Sequence, residues 1–213
     1  MGRFSLVFSE AGYKAAALDI DKNALSRLRD ASRKMSFDIE LIIGDLDHSF
    51  PIRHSSLRVA VLSHVLHWLS SPQATLAEVA QCLEAPGLLF VLFYDHADLA
   101  AMRFYSLLDS RLLEIQQELT PRSDVVERFI RDAGLESLEK RRFSQETEYS
   151  SVELRSILES RGTRALQIYE DRFGEKAYVD MSETAIGQLN AQSRDAIVNL
   201  ETETILVARK VHK

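Results

Sequence analysis

A single cysteine, Cys82, leaves no route to an internal disulfide and suits a reducing cytosol, so a cytoplasmic protein is expected. Long apolar runs are also missing. The best, Val59 to Leu62 and Leu88 to Tyr94, fall far short of the ~20 residues that cross a bilayer, and no membrane span is expected. The opening Met1-Gly2-Arg3-Phe4 lacks the charged-then-apolar layout of a signal peptide. Eight glycines and four prolines are too few for a linker-rich or disordered chain. Positive charge is scarce: 26 Lys and Arg against 32 Asp and Glu give a formal net charge of −6. That balance disfavours a general phosphate-backbone binder, so nucleic acid is not expected as a partner. The one basic cluster, Lys140-Arg141-Arg142, reads as the solvated start of a strand.

What is present is an ordinary globular composition, 46% hydrophobic and 27% charged over 213 residues, enough for one domain with a sizeable core. Phe4, Val7, Phe8 and Ala11 fall at helical spacing, with Gly12 placed to cap the helix. Ala15 to Leu18 is a short strand, and Asp21 caps a helix carrying Ala24, Leu28, Ala31 and Met35. Ile39 to Ile43 and Leu57 to Leu62 read as strands, and Pro72 to Leu83 as a helix that Pro86-Gly87 ends. Leu88 to Phe93 is a fourth strand. These runs are continuously apolar, as in parallel strands covered on both faces. Beyond Tyr94 a helical stretch from Leu99 to Leu119, a helix from Ser123 to Ala133 and a strand from Leu135 to Tyr149 are expected. Two amphipathic helices (Val152 to Arg161, Arg164 to Phe173) and a strand from Glu201 to Val211 follow. The fold class is α/β, doubly wound.

In an open parallel sheet the ligand lies beyond the carboxyl ends of the strands, which gives weight to the residues just after each one. Asp19 stands where an acidic residue accepts hydrogen bonds from a ribose diol, and Asp45 closes the next strand. Asp21 and Asp47 read as turn or cap residues. His64 and His67 carry imidazoles able to take a proton near neutral pH, although pocket lining or a structural helix role is the favoured reading for both. Tyr94, Asp95 and His96 end the last parallel strand as candidate substrate contacts. No metal site is expected.

Several of these segments together carry a family resemblance: Gly2-Arg3-Phe4-Ser5-Leu6, Glu10-Ala11-Gly12-Tyr13, Leu18-Asp19-Ile20-Asp21, Gly44-Asp45, Ser63-His64-Val65-Leu66-His67-Trp68, Ala77-Glu78-Val79 and Pro86-Gly87-Leu88-Leu89. In order and spacing the set resembles class I S-adenosylmethionine-dependent methyltransferases acting on small molecules, similar to the ubiquinone- and biotin-pathway type. It covers about residues 2–94. Phe129 to Leu135 is similar to the family's last helix entering its sixth strand, and Thr202 to Lys210 to its antiparallel seventh. The resemblance implies a Rossmann-like sheet with an antiparallel final strand, in one domain over 1–213. Residues 1–96 would be the cofactor-binding half, 97–195 a helical lid and acceptor region with a strand near 135–149, and 201–211 the final strand.

It also implies roles. Asp19 would hold the ribose of S-adenosylmethionine, Ile20 would pack on the adenine, and Asp45 with Leu46 would recognise its edge. Ser63 would offer its carbonyl to the methionine amino group beside His64. Gly2 corresponds to the last glycine of the family's cofactor loop. The partner would be a small-molecule methyl acceptor, with His64, His67, Tyr94 and His96 as weak catalytic candidates. An obligatory base is not required, because positioning can suffice for displacement at a sulfonium.

The family's first strand and most of its glycine loop have no counterpart here. That strand belongs between Ala15–Leu18 and Leu57–Leu62, so the native chain is expected to extend upstream, with Met1 internal or a misassigned start. Two other functions share part of the signal. One is a non-catalytic methyltransferase-like binding or scaffold protein. The other is a nicotinamide-dependent oxidoreductase, against which Gly44-Asp45, Ser63 to Trp68 and the reversed final strand stand.

Overall fold

The computed structural model describes residues 2–48, 50–101, 108–191 and 196–211. Helix α1 (Arg3–Glu10) starts from Gly2, whose φ of 61° lies in the left-handed region. A Cβ there would stand 2.5 Å from Cδ1 of Leu28, so only glycine lets the start of α1 lie against α2 (Lys22–Lys34). Strand β1 (Ala15–Asp19) pairs in parallel with β2 (Ile39–Ile43), Asp19 opposite Ile43. The crossover helix α2 buries Ala24, Leu25 and Leu28, and the Asp21 side chain accepts from the Asn23 N–H at its start.

The second sheet has the order β3-β4-β6-β5. Strand β3 (Leu57–Ser63) runs parallel to β4 (Leu83–Tyr94), joined by α3 (Pro72–Cys82) with Pro72 in its first turn. Beyond β4, α4 (Ser110–Leu119) and α5 (Ser123–Asp132) lead to β5 (Leu135–Ser150), and α6 (Ser151–Glu159), α7 (Arg164–Phe173) and α8 (Glu175–Ala191) precede β6 (Ala196–Lys210). Strand β6 is antiparallel to both of its neighbours. This is the doubly wound sheet with a reversed final strand. One core joins Leu76, Val79, Leu83, Leu89, Val91, Phe93, Ile130 and Leu206 between the sheet and α3 and α5. A separate helical core joins Leu112, Ile115, Leu154, Leu158, Leu166 and Tyr169.

Three element boundaries differ from expectation. Helix α3 stops at Cys82 and β4 begins at once, running through Pro86-Gly87 where a helix stop followed by a strand from Leu88 was expected. The register with β3 shifts there, from Leu57↔Leu83 to Val59↔Leu88, and an irregular stretch is where a strand tolerates a residue with no N–H to donate. The helix expected from Leu99 to Leu119 is not continuous. A 3₁₀ turn spans His96–Ala101, residues 102–107 lie outside the described ones, and α4 starts afresh where the extended Asp109 (φ −166°) caps the Arg111 N–H. Strand β6 begins at Ala196, five residues before Glu201, because β5 continues to pair with it to Ser150. Helix α8 had no counterpart in the sequence pattern as read.

Strands β1 and β3 are not hydrogen-bonded to each other, so the parallel sheet stands in two pieces. No described strand occupies the position that the resemblance gives to the family's first one. Between α1 and the larger sheet lies an apolar cavity of about 160 Å³ lined by Phe4, Phe8, Val61, Phe90, Leu92 and Ile205. The loop after β2 ties the pieces together, since Asp47 accepts the Ser70 N–H at 2.9 Å and its hydroxyl at 3.0 Å. Among the described residues no helix is long and apolar enough to cross a membrane.

Candidate functional site

The carboxyl ends of β1, β2, β3 and β4 carry two groups of polar residues. At β1, Asp19 Oδ1 accepts the Asp21 N–H at 2.9 Å, while Oδ2 has no hydrogen-bond partner among the described residues. Beside it Ile20 is 65% exposed, and Ile43, opposite Asp19 on β2, is 59% exposed. An open carboxylate oxygen next to two water-exposed aliphatic side chains suits a sugar diol joined to a flat, weakly polar base. At β2, both Asp45 oxygens are engaged. Oδ1 accepts the Asp47 N–H at 3.0 Å and Oδ2 lies 2.7 Å from His48 Nδ1. Those contacts, the Asp47 amide first, hold the Asp45 carboxyl below its usual range. Leu46 is half-buried in the same turn. Gly2 sits at the N-terminus of α1, and its contact with Leu28 is a packing reason for glycine independent of any ligand.

The second group gathers around His64. Ser63 closes β3 opposite Leu92, and the His64 N–H donates to the Leu92 carbonyl at 2.8 Å. His64 has a φ of 52°, a conformation that costs a non-glycine residue about 1–2 kcal/mol and in which histidine is over-represented. The imidazole reaches across β4: its centroid lies 4.7 Å from the Tyr94 ring, and Nε2 is 2.7 Å from Glu203 Oε1. Tyr94 and Glu203 face each other in the β4–β6 register, which fixes this crossing. Two residues earlier on β6, Glu201 is 7% exposed and accepts from two phenols, Tyr94 at 2.9 Å and Tyr149 at 2.6 Å. Burial, then the Glu201 charge, pushes the Tyr94 phenol well above its usual range, so Tyr94 stays a donor.

His67 lies in the 3₁₀ turn Leu66–Trp68. Burial, then the charge of nearby His64, brings it down to about 4, so it is neutral at pH 7. His96 is exposed at the start of the next 3₁₀ turn, and its backbone N–H bonds to the Pro121 carbonyl. Asp95 is buried and caps that turn through the Ala97 N–H. The structure therefore joins His64 and Tyr94 and leaves His96 outside. Glu201, Glu203 and Tyr149 were missed in the sequence. The available signal was Glu201-Thr-Glu203, two carboxylates on one face of a strand otherwise built of Ile205, Leu206 and Val207. Among the described residues no group of three His, Cys, Asp or Glu side chains is placed to hold a metal.

Comparison with known proteins bears on the fold. The family described as "methyltransferase domain" matches residues 1–91. No curated protein sequence matches the chain significantly. Among solved structures, the YcgJ protein from Bacillus subtilis superposes with a TM-score of 0.67 at 16% identity, covering 100% of this chain and 88% of that one. A SAM-dependent methyltransferase from Methanosarcina mazei gives 0.62 at 13% identity, covering 100% and 89%. The [4+2]-cyclase SpnF gives 0.61 at 16%, covering 100% and 72%. At such identities the likeness concerns the fold, and a cyclase among the neighbours shows that the fold does not fix the reaction. Residues 1–91 match the methyltransferase-domain family, and the chain as a whole has the fold of class I methyltransferases.

Proposed function

We propose that this protein transfers a methyl group from S-adenosylmethionine to a small-molecule acceptor, with residues 1–96 forming the cofactor side and 97–195 the acceptor side. The observation that carries this reading is the end of β1, where the open Asp19 oxygen and exposed Ile20 suit a nucleoside. Asp19 would take the ribose hydroxyls and Ile20 the face of the adenine. Asp45 and Leu46 would meet the adenine edge, with His48 yielding its bond or sharing the carboxylate. Gly2, Ser63 and His64 would border the methionine half. When bound, the cofactor supplies an electrophilic sulfonium methyl group. The protein's part is to orient the acceptor and exclude water.

Calorimetric titration of the full chain with S-adenosylmethionine, S-adenosylhomocysteine and NADH tests this. Binding of the first two is expected, weakened about 10- to 100-fold by Asp19→Ala, the scale of a lost charge-assisted hydrogen bond. NADH binding without S-adenosylmethionine binding would instead establish the oxidoreductase reading. Cofactor binding with no transfer to any acceptor would favour a binding or scaffold role.

A further inference from the structure

His64 and Glu203 lie 139 residues apart in sequence, and their side chains meet at 2.7 Å across the last parallel strand. Three features set the pair apart from an incidental surface contact. Both side chains are about a quarter exposed, 25% for His64 and 26% for Glu203, so solvent reaches them without dissolving the bond. The His64 backbone is held in the left-handed region, and strain of that kind concentrates at functional sites. The pair also stands at the carboxyl end of β3, where this class of sheet presents its ligand crevice.

The bond sets the chemistry of the ring. A carboxylate only accepts, so Nε2 carries the hydrogen toward Glu203 and Nδ1 keeps its lone pair. A carboxylate on the far nitrogen also stabilises the imidazolium that forms when Nδ1 takes a proton. The groups around His64 are compatible with that role. His67 in the 3₁₀ turn is neutral at pH 7, Tyr94 on β4 is a protonated phenol, and Tyr149 on β5 and Tyr94 both donate to Glu201 on β6. The two phenols temper the Glu201 charge, leaving Glu203 as the carboxylate in contact with the ring.

We infer that His64 is the proton acceptor for the methyl acceptor and that Glu203 is its positioning residue, so the acceptor is a protic nucleophile, an alcohol, phenol or amine. The proposal rests on the methyl-transfer reading above. The acceptor X–H gives its proton to His64 Nδ1 as X bonds to the methyl carbon. The methyl–sulfur bond breaks with its electron pair left on sulfur, and the imidazolium, held by Glu203, returns its proton to solvent.

The test uses the full chain with S-adenosylmethionine and three probe acceptors, phenol, benzyl alcohol and benzylamine. Methylation of at least one is expected, with His64→Ala lowering kcat/KM about 10²- to 10⁴-fold and added imidazole restoring part of it. Glu203→Ala should lower kcat with little change in KM, and Glu203→Asp should restore it in part. Ring nitrogen NMR should show His64 as the Nε2–H tautomer in the unaltered protein and as a mixture of tautomers in Glu203→Ala, without any turnover. Unchanged kcat/KM in His64→Ala, a His64 tautomer indifferent to Glu203→Ala, or no methylation of any probe by protein that binds S-adenosylmethionine would each overturn the inference. Failure to bind the cofactor at all would overturn the methyl-transfer reading itself, and calorimetry separates that result from the others.

Discussion

Strands β1 and β4 are both apolar parallel strands next to helices, yet they are buried to very different degrees. No residue of β1 is fully buried, whereas Leu89, Val91 and Phe93 of β4 are at most 1% exposed. The cause is pairing. Strand β4 has β3 on one side and β6 on the other, with α3 and α5 packed over it. Among the described residues strand β1 has a partner on one side only, and α1, its cover, buries no residue fully. Stability is thus concentrated in the four-stranded sheet, while Asp19, Ile20 and Asp45, the residues proposed to meet the nucleoside, sit on or beside the loosely packed pair. Loosely packed elements are where ligand binding has most order to add.

The contrast can be broken most sharply by truncating the two strands. Phe93→Ala should cost about 3–5 kcal/mol and Leu18→Ala less than about 1.5 kcal/mol in urea unfolding, because a half-exposed site leaves little cavity. Equal losses would refute the division. Next in size, S-adenosylmethionine at about 100 times its Kd should stabilise the chain by roughly 2.7 kcal/mol. Amide exchange should slow more in β1 and β2 than in β4, and Asp19→Asn should reduce both effects.

The helical core offers a smaller test. Asp109 accepts from Arg111 and Tyr169 and caps α4, and the Arg111 hydrogen bonds foremost hold its carboxyl at about 2. Its folded value lies below the unfolded one, so the stabilisation is present above about pH 4 and disappears as pH falls toward 2. Asp109→Ala should cost about 1 kcal/mol at pH 7 from the lost cap and flatten acid unfolding in that window. Smallest at neutral pH is His67→Gln. His67 is brought down to about 4, so between about pH 6.5 and 4 the unfolded chain binds a proton that the folded one refuses, and stability falls on acidification. The variant should resist that fall, while at pH 7, where His67 is neutral in both states, little should change.

Local chemistry made much of this fold legible in the sequence. Strand β2 and helix α7 lie on the residues their patterns mark, and Asp21 and Gly12 act as the caps they resemble. Helix α8 escaped because its buried Tyr178, Met181 and Ala185 are interleaved with Ser182, Thr184 and Gly187, which blur the apolar stripe. The continuation of β4 through Pro86 ran against a local stop signal, and pairing with β6 prevailed. The positions of Asp19 and Asp45 at the strand ends were legible because strands β1 and β2 lie where their apolar runs mark them. The His64–Glu203 and Tyr94–Glu201–Tyr149 contacts were not, since charges at the start of β6 read as solvent-facing until topology sets that strand beside β4.

The central claim is that one crevice along the ends of β1, β2 and β3 receives S-adenosylmethionine. Amide chemical-shift mapping of the full chain during titration with S-adenosylhomocysteine tests it most directly. The expected result is a saturable set of shifts at Asp19, Ile20, Asp45, Leu46, Ser63 and His64, with the helical core around Leu158 and Tyr169 unmoved. Shifts confined to that helical core, or none at millimolar ligand, would contradict the account.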